Sequence, residues 1–238
     1  MMQRITSPKR GGFTLMETVI AIGVLAVLLT AFLAVFGPAA RNIRKAISVQ
    51  EADRLAYTLE RELVTVHPDE TGDFKTGFEK AYAWIEDATE DTSDPLLIFQ
   101  YRGKIGDIAS DGAAEPFTGQ GVAGQDFIVQ PIVRKASELE EDDIRALEGR
   151  IYTVKLTQLV FNGGALELGT PGKIDDPTPG DGESGGGGSG ADGYPEAVIA
   201  FAAEFFIVPN SSLRYIQQNL DLSELNNPIF TRNLAVRR

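Results

Sequence analysis

Cysteine is absent from this chain of 238 residues. No disulfide framework can therefore brace an exported domain, and neither a thiolate metal site nor a cysteine nucleophile exists. Histidine occurs once, at His67 beside Pro68, where a surface or helix-capping role is expected rather than general-base catalysis. A Walker phosphate loop and H-E-x-x-H are missing, and the glycines near Gly185, although residues 182–186 spell G-x-S-x-G, lack a strand-to-helix setting, so the sequence makes no case for an enzyme. Cations are scarce beside acids: 22 Lys and Arg against 34 Asp and Glu give a formal net charge of −12. A surface of that sign is a poor partner for nucleic acid.

Charge is also scarce in one place. From Phe13 to Phe36 the only ionisable side chain is Glu17. As a helix this run is roughly 36 Å long, enough to cross a hydrocarbon core of about 30 Å. Residues 1–12, MMQRITSPKRGG, are basic and turn-prone and abut the run with no polar spacer; they read as a targeting leader. An ordinary signal peptide, cut near Ala39-Ala40, is the alternative, but its apolar core is shorter and carries no acid.

The string Gly12-Phe13-Thr14-Leu15-Met16-Glu17 resembles the prepilin peptidase site of type IV pilins, pseudopilins and related competence proteins. The resemblance implies cleavage between Gly12 and Phe13, N-methylation of Phe13, and a role for Glu17 in subunit assembly. The physical chemistry agrees. An acid inside a membrane span costs about 2.5–3.5 kcal/mol on insertion scales, so it needs a partner. A free amine on Phe13 of a neighbouring subunit would supply one and set the register between subunits. The plainer alternative is a Glu17 that snorkels to the interface.

Flanking charge does not decide orientation, because Arg4, Lys9 and Arg10 precede the span while Arg41, Arg44 and Lys45 follow it. The leader, by resemblance, places the N-terminus in the cytoplasm. Beyond Pro38, a candidate kink, residues 37–66 continue as an amphipathic helix. Ile43, Ile47, Leu55, Leu59, Leu63 and Val66 recur on one side, with Ala52 bridging the longest gap. Arg44, Lys45, Glu51, Arg54, Arg61 and Glu62 form the other side, and His67-Pro68 ends the helix.

Residues 67–238 are expected to form a β-rich outer domain. Strand-like runs at 96–102, 127–134, 151–161 and 197–208 predict about four mostly antiparallel strands packed on the amphipathic helix. Ile151, Thr153, Lys155, Thr157 and Leu159 should face one way, and Tyr152, Val154, Leu156, Gln158 and Val160 the other. Ser137 and Glu140 predict a capping box and a short helix ending near Gly149, with the acids at 138–143 favourable at its start. Tyr82 and Trp84 are expected in the core. A helical turn at 213–220 and a last strand at 229–236 complete the reading. The fold class is α+β, the type IV pilin-like arrangement of a long N-terminal helix on an antiparallel sheet.

Residues 169–195 read as a Gly/Asp-rich solvated loop. Asp175, Asp176, Asp181, Glu183 and Asp192 are candidate calcium ligands there, as resemblance to some major pseudopilins suggests, although their spacing matches no EF-hand. Residues 55–63 have a likeness to the post-membrane helix of J-class minor pseudopilins of type II secretion. The expected function is a structural, minor filament subunit. Its implied partners are prepilin peptidase, other pilin or pseudopilin subunits, the inner-membrane assembly platform and the membrane. The alternative is a membrane-anchored envelope binding or adhesion module outside any filament.

Overall fold

The computed structural model describes residues 14–68, 70, 72–162, 164–175 and 190–238, without the side chains at 37–42, 44–49 and 52. Helix α1, Leu15–Val64, opens on Thr14, whose Oγ1 accepts the Glu17 N–H at 3.3 Å. That bond satisfies one of the orphan amides of the first turn, and Glu17 there also meets the positive end of the helix dipole. The chain divides into residues 1–47 and 48–238.

In the first unit the helical stretch Leu15–Phe36 has mean hydropathy 2.9 and is long and apolar enough to cross a membrane. Its side chains are all exposed, as lipid or a neighbouring helix would require and water would not. The hydroxyls of Thr18 and Thr30 are returned to carbonyls one turn back, Thr14 at 3.2 Å and Ala26 at 2.8 Å. They thus cost little in hydrocarbon. The helical assignment runs on through Pro38.

The second unit is built on alternation. Among the described residues its sheet has seven strands: β1 Leu96–Ile108, β2 Ala114–Pro116, β3 Phe127–Lys135, β4 Leu147–Asn162, β5 Ala165–Leu168, β6 Val198–Ile207 and β7 Phe230–Arg237. The order is β2-β1-β4-β6-β7, with β3 on β1 and β5 on β4, all antiparallel. About four strands and a last one at 229–236 were expected; the two beyond these, β2 and β5, are three and four residues long, too short to show a period of their own.

Tyr152, Val154 and Leu156 of β4 face one core with Ile98, Phe201 and Phe205. Ile151 faces a second core with Leu97, Phe99, Ile132 and Ile216. The alternation read in the sequence is the one observed. Leu55, Ala56, Leu59 and Leu63 of α1 are fully buried in the first core, whereas Ile43 remains exposed.

Helix α2, Gly77–Asp87, was not expected as a helix. Thr76 caps it by accepting the Glu79 N–H at 3.2 Å, and Glu79 accepts the Lys75 N–H at 2.7 Å. The Thr-x-x-Glu signature was present in the sequence. Phe78, Trp84 and Ile85 are buried, and Tyr82 packs at the core's margin. Gly77 permits the closest approach in this unit, because a Cβ there would lie 2.2 Å from the Val64 carbonyl oxygen. The end of α1 and the start of α2 thus abut, and α1 stops at Val64 rather than Val66.

The expected helix after Ser137 is broken in two. A 3-10 turn spans Ala136–Glu138 and helix α3 spans Glu141–Ala146. Ser137 gives its N–H and hydroxyl to Asp94 at 2.8 and 2.7 Å instead of capping, and Asp143 caps α3 by accepting the Glu140 N–H at 2.9 Å. Gly149 lies inside β4, not at a helix end, with φ of +90° at the point where the β1–β4 register shifts. A last helix, α4 Leu213–Gln218, buries Ile216.

Part of the expected loop is ordered. Buried Gln158 holds the Asp175 backbone through both N–H and C=O, each at 2.7 Å. On the return, Tyr194 packs near Phe78 and Tyr82, with ring centroids about 6 Å away.

Candidate functional site

Gly12 and Phe13 lie outside the described residues. Glu17 stands exposed in the first turn of α1, surrounded on its helix by the exposed apolar side chains of Leu15, Met16, Val19 and Ile20. The arrangement offers one carboxylate at one level of an otherwise apolar rod. In a medium without water such a group is costly unless a partner of opposite charge meets it.

Of the loop acids, Asp176, Asp181 and Glu183 also lie outside the described residues. Asp175 makes an ion pair with Lys173, and Asp192 sits in a 3-10 turn at Ala191–Gly193. Among the described residues, three ligand-type side chains converge, Glu62, His67 and Glu70, whose donor atoms lie within 4.8 Å of one another.

A cation already stands among them. Lys80 of α2, fully buried, places Nζ 2.8 Å from Glu62 Oε1, 2.8 Å from Glu70 Oε2 and 2.9 Å from the Thr65 carbonyl. It also lies 4.4 Å from the centroid of the Trp84 ring. His67 Nε2 is 2.8 Å from Glu62 Oε1, and the His67 N–H donates to Glu70 Oε2 at 2.9 Å. His67, expected at the surface or as a cap, is half-buried in this cluster. The ammonium fills the coordination that a metal would need, and the cluster ties the end of α1 to the following turn and to α2. Sequence reading missed it because Glu62 was assigned to the solvent face and Lys80 belongs to a helix that was not foreseen.

Beside the cluster is a cleft of about 220 Å³ lined by Arg61, His67, Trp84, Tyr101, Asp111 and Arg134, among others. Several of its polar groups are already engaged, although the buried Arg134 Nε has no hydrogen-bond partner. Tyr101 donates to the Ala114 carbonyl and accepts from Gln130, both at 2.6 Å, and Arg134 pairs with Asp111 at 2.9 Å and with buried Asp143 at 3.6 Å. Burial pushes the Tyr101 hydroxyl up. Burial, the acceptor Glu51 at 2.9 Å and its charge raise Tyr152, keeping it a neutral donor.

Asp143, 1% exposed, is likewise raised, chiefly by burial, against the opposing pull of the Glu140 N–H and Arg134. A raised carboxyl binds its proton more tightly folded than unfolded. The stability this confers is complete below the unfolded value of about 4 and is lost as pH rises through the folded value. The Asp143 contribution to the denaturation midpoint is therefore expected to grow as pH falls towards about 4, and Asp143→Asn should flatten that part of the profile. An unchanged slope in the variant would refute the assignment.

Comparison with known families agrees with the N-terminal geometry. The prokaryotic N-terminal methylation motif matches residues 7–33. No curated protein and no solved structure matches the chain. The matched residues include the junction at Gly12-Phe13, the Thr14 cap, Glu17 and most of the apolar helix. The methylation motif at the head of an apolar helix, followed by a unit of helix and antiparallel sheet, supports a type IV pilin-like arrangement for this chain, although the match itself covers only the N-terminal residues 7–33.

Proposed function

We propose that this chain is a structural subunit, of the minor kind, in a type II secretion pseudopilus or related type IV pilus-like filament, and that it has no catalytic activity of its own. Prepilin peptidase removes residues 1–12 on the cytoplasmic face and methylates Phe13. The apolar helix then holds the subunit in the inner membrane, with the outer unit in the periplasm or beyond. An inner-membrane platform and its cytoplasmic ATPase supply the work of extraction, while this chain supplies helix packing and the Glu17 contact to a neighbour's amine.

The observation that carries the reading is the single acid at Glu17, within the methylation motif and near the start of an exposed apolar helix. The likeness of residues 55–63 to J-class minor pseudopilins and the sizeable outer unit favour a minor subunit. The test is intact mass and N-terminal sequencing of the chain produced with and without prepilin peptidase. A chain that begins at methylated Phe13 only when the peptidase is present is the expected result. An intact Met1, or a cut near Ala40, would overturn the reading in favour of a membrane-anchored envelope binding module.

A further inference from the structure

Two nearby residues compete to start helix α1. Thr14 starts it as observed: the Thr18 N–H donates to the Thr14 carbonyl at 3.2 Å, and the Glu17 N–H donates to Thr14 Oγ1 at 3.3 Å. The same residue pattern builds the start of α2, where Thr76 accepts the Glu79 N–H at 3.2 Å. Upstream of Thr14 the nearest residue of a capping type is Gly12, since Phe13 carries no side-chain acceptor. A helix started at Gly12 would draw the Met16 N–H onto the Gly12 carbonyl and the Glu17 N–H onto the Phe13 carbonyl. Engaged by Thr14 Oγ1, the Glu17 N–H is withheld from that longer helix.

The Gly12 carbonyl belongs to the bond that leader removal has to break. A peptide bond held in a helix is cut only from the population in which it has opened. The start of α1 therefore sets how often the Gly12–Phe13 bond is offered. The rival cut near Ala40 illustrates the opposite case, because residues 38–40 lie well inside α1, where a cut requires the helix to open first. Two independent observations meet at Thr14: the capping bond, and the methylation motif that matches residues 7–33.

We propose that Thr14 is a positioning residue for leader removal, whose hydroxyl fixes the start of α1 beyond the Gly12–Phe13 bond and keeps the Gly12 carbonyl out of helical hydrogen bonding. The inference rests on the filament-subunit reading and adds to it a side chain that acts through the backbone rather than by touching the peptidase. The reaction is plain hydrolysis: water adds across the Gly12–Phe13 amide, leaving a carboxylate on Gly12 and an amine on Phe13.

Removing a capping acceptor shifts a helix start by about fivefold, the equivalent of roughly 1 kcal/mol. In the full-length chain in membranes, Thr14→Val keeps the shape of the side chain without its acceptor. It is expected to lose the leader about fivefold more slowly at limiting prepilin peptidase, followed by intact mass against time. Thr14→Ser and Thr14→Asn cap at least as well as threonine and should match or exceed the wild-type rate. Cleavage of Thr14→Val at the wild-type rate would overturn the role of the cap and leave the filament reading standing. Thr14→Asn as slow as Thr14→Val would mean that the peptidase reads side-chain shape at this position, which overturns it equally. The melting transition of the outer unit should be the same in all four chains; a lower one in Thr14→Val alone would make its slowness a folding defect and remove the positioning role. A wild-type chain that keeps Met1 with the peptidase present would overturn both this inference and the filament reading.

Discussion

A Glu17→Ala chain is expected to enter the membrane and keep its outer unit folded, yet fail to form multimers. Removing the acid makes insertion easier, since a carboxylate within a span costs about 2.5–3.5 kcal/mol on insertion scales. The described bonds of Glu17 involve its backbone: its N–H goes to Thr14 Oγ1 at 3.3 Å, and alanine retains that bond. Alanine is also the best helix former, so α1 should persist. What is lost is the one charged group on the exposed apolar rod, and with it the specific level at which a neighbour's amine can pair. Sedimentation of solubilised membranes measures assembly, and the melting curve of the same sample measures the outer unit. Normal multimers from the alanine variant would remove Glu17 from assembly, whereas loss of both multimers and the melting transition would make its role one of folding.

Lys80→Met is expected to have the largest effect on stability, about 3–5 kcal/mol, by stripping the cation from a buried cluster. Methionine fills much of the lysine stem's volume but leaves Glu62 Oε1, Glu70 Oε2 and the Thr65 carbonyl without the ammonium that now bonds all three. The two carboxylates keep 17 and 20% of their side-chain surface, so water relieves part of the cost and the lower end of that range is favoured. Neutralising the acids as well, in Lys80→Met/Glu62→Gln/Glu70→Gln, should recover most of the loss, because the penalty lies in unpaired charge rather than missing volume. Denaturant midpoints of the three proteins check this. A Lys80→Met protein within about 0.5 kcal/mol of wild type would mean that the cluster contributes little beyond a surface ion pair.

These expectations draw on features that were unequally legible in the sequence. The membrane-length apolar run, its single acid and the methylation motif are contiguous in the chain, and a local signal survives reading one residue after another. The alternation of Tyr152, Val154 and Leu156 against Ile151 and Thr153 was legible for the same reason, because a strand buried on one side states its period over a few residues. β5 was not legible. Its four residues follow a turn directly after β4, and only pairing with Leu159–Asn162 makes them a strand. Ser137 matched a capping pattern that lost to Asp94, a partner 43 residues away.

The membrane-length apolar run, its single acid and the methylation motif were determined by sequence alone, because membrane length, charge placement and a short motif are one-dimensional properties. The polar cluster around Lys80, the register shift at Gly149 and the pairing of β5 with β4 were decided only by tertiary structure. Each depends on groups that meet only by packing or pairing, and burial and pairing, which set their energies, do not exist until the sheet has closed over α1.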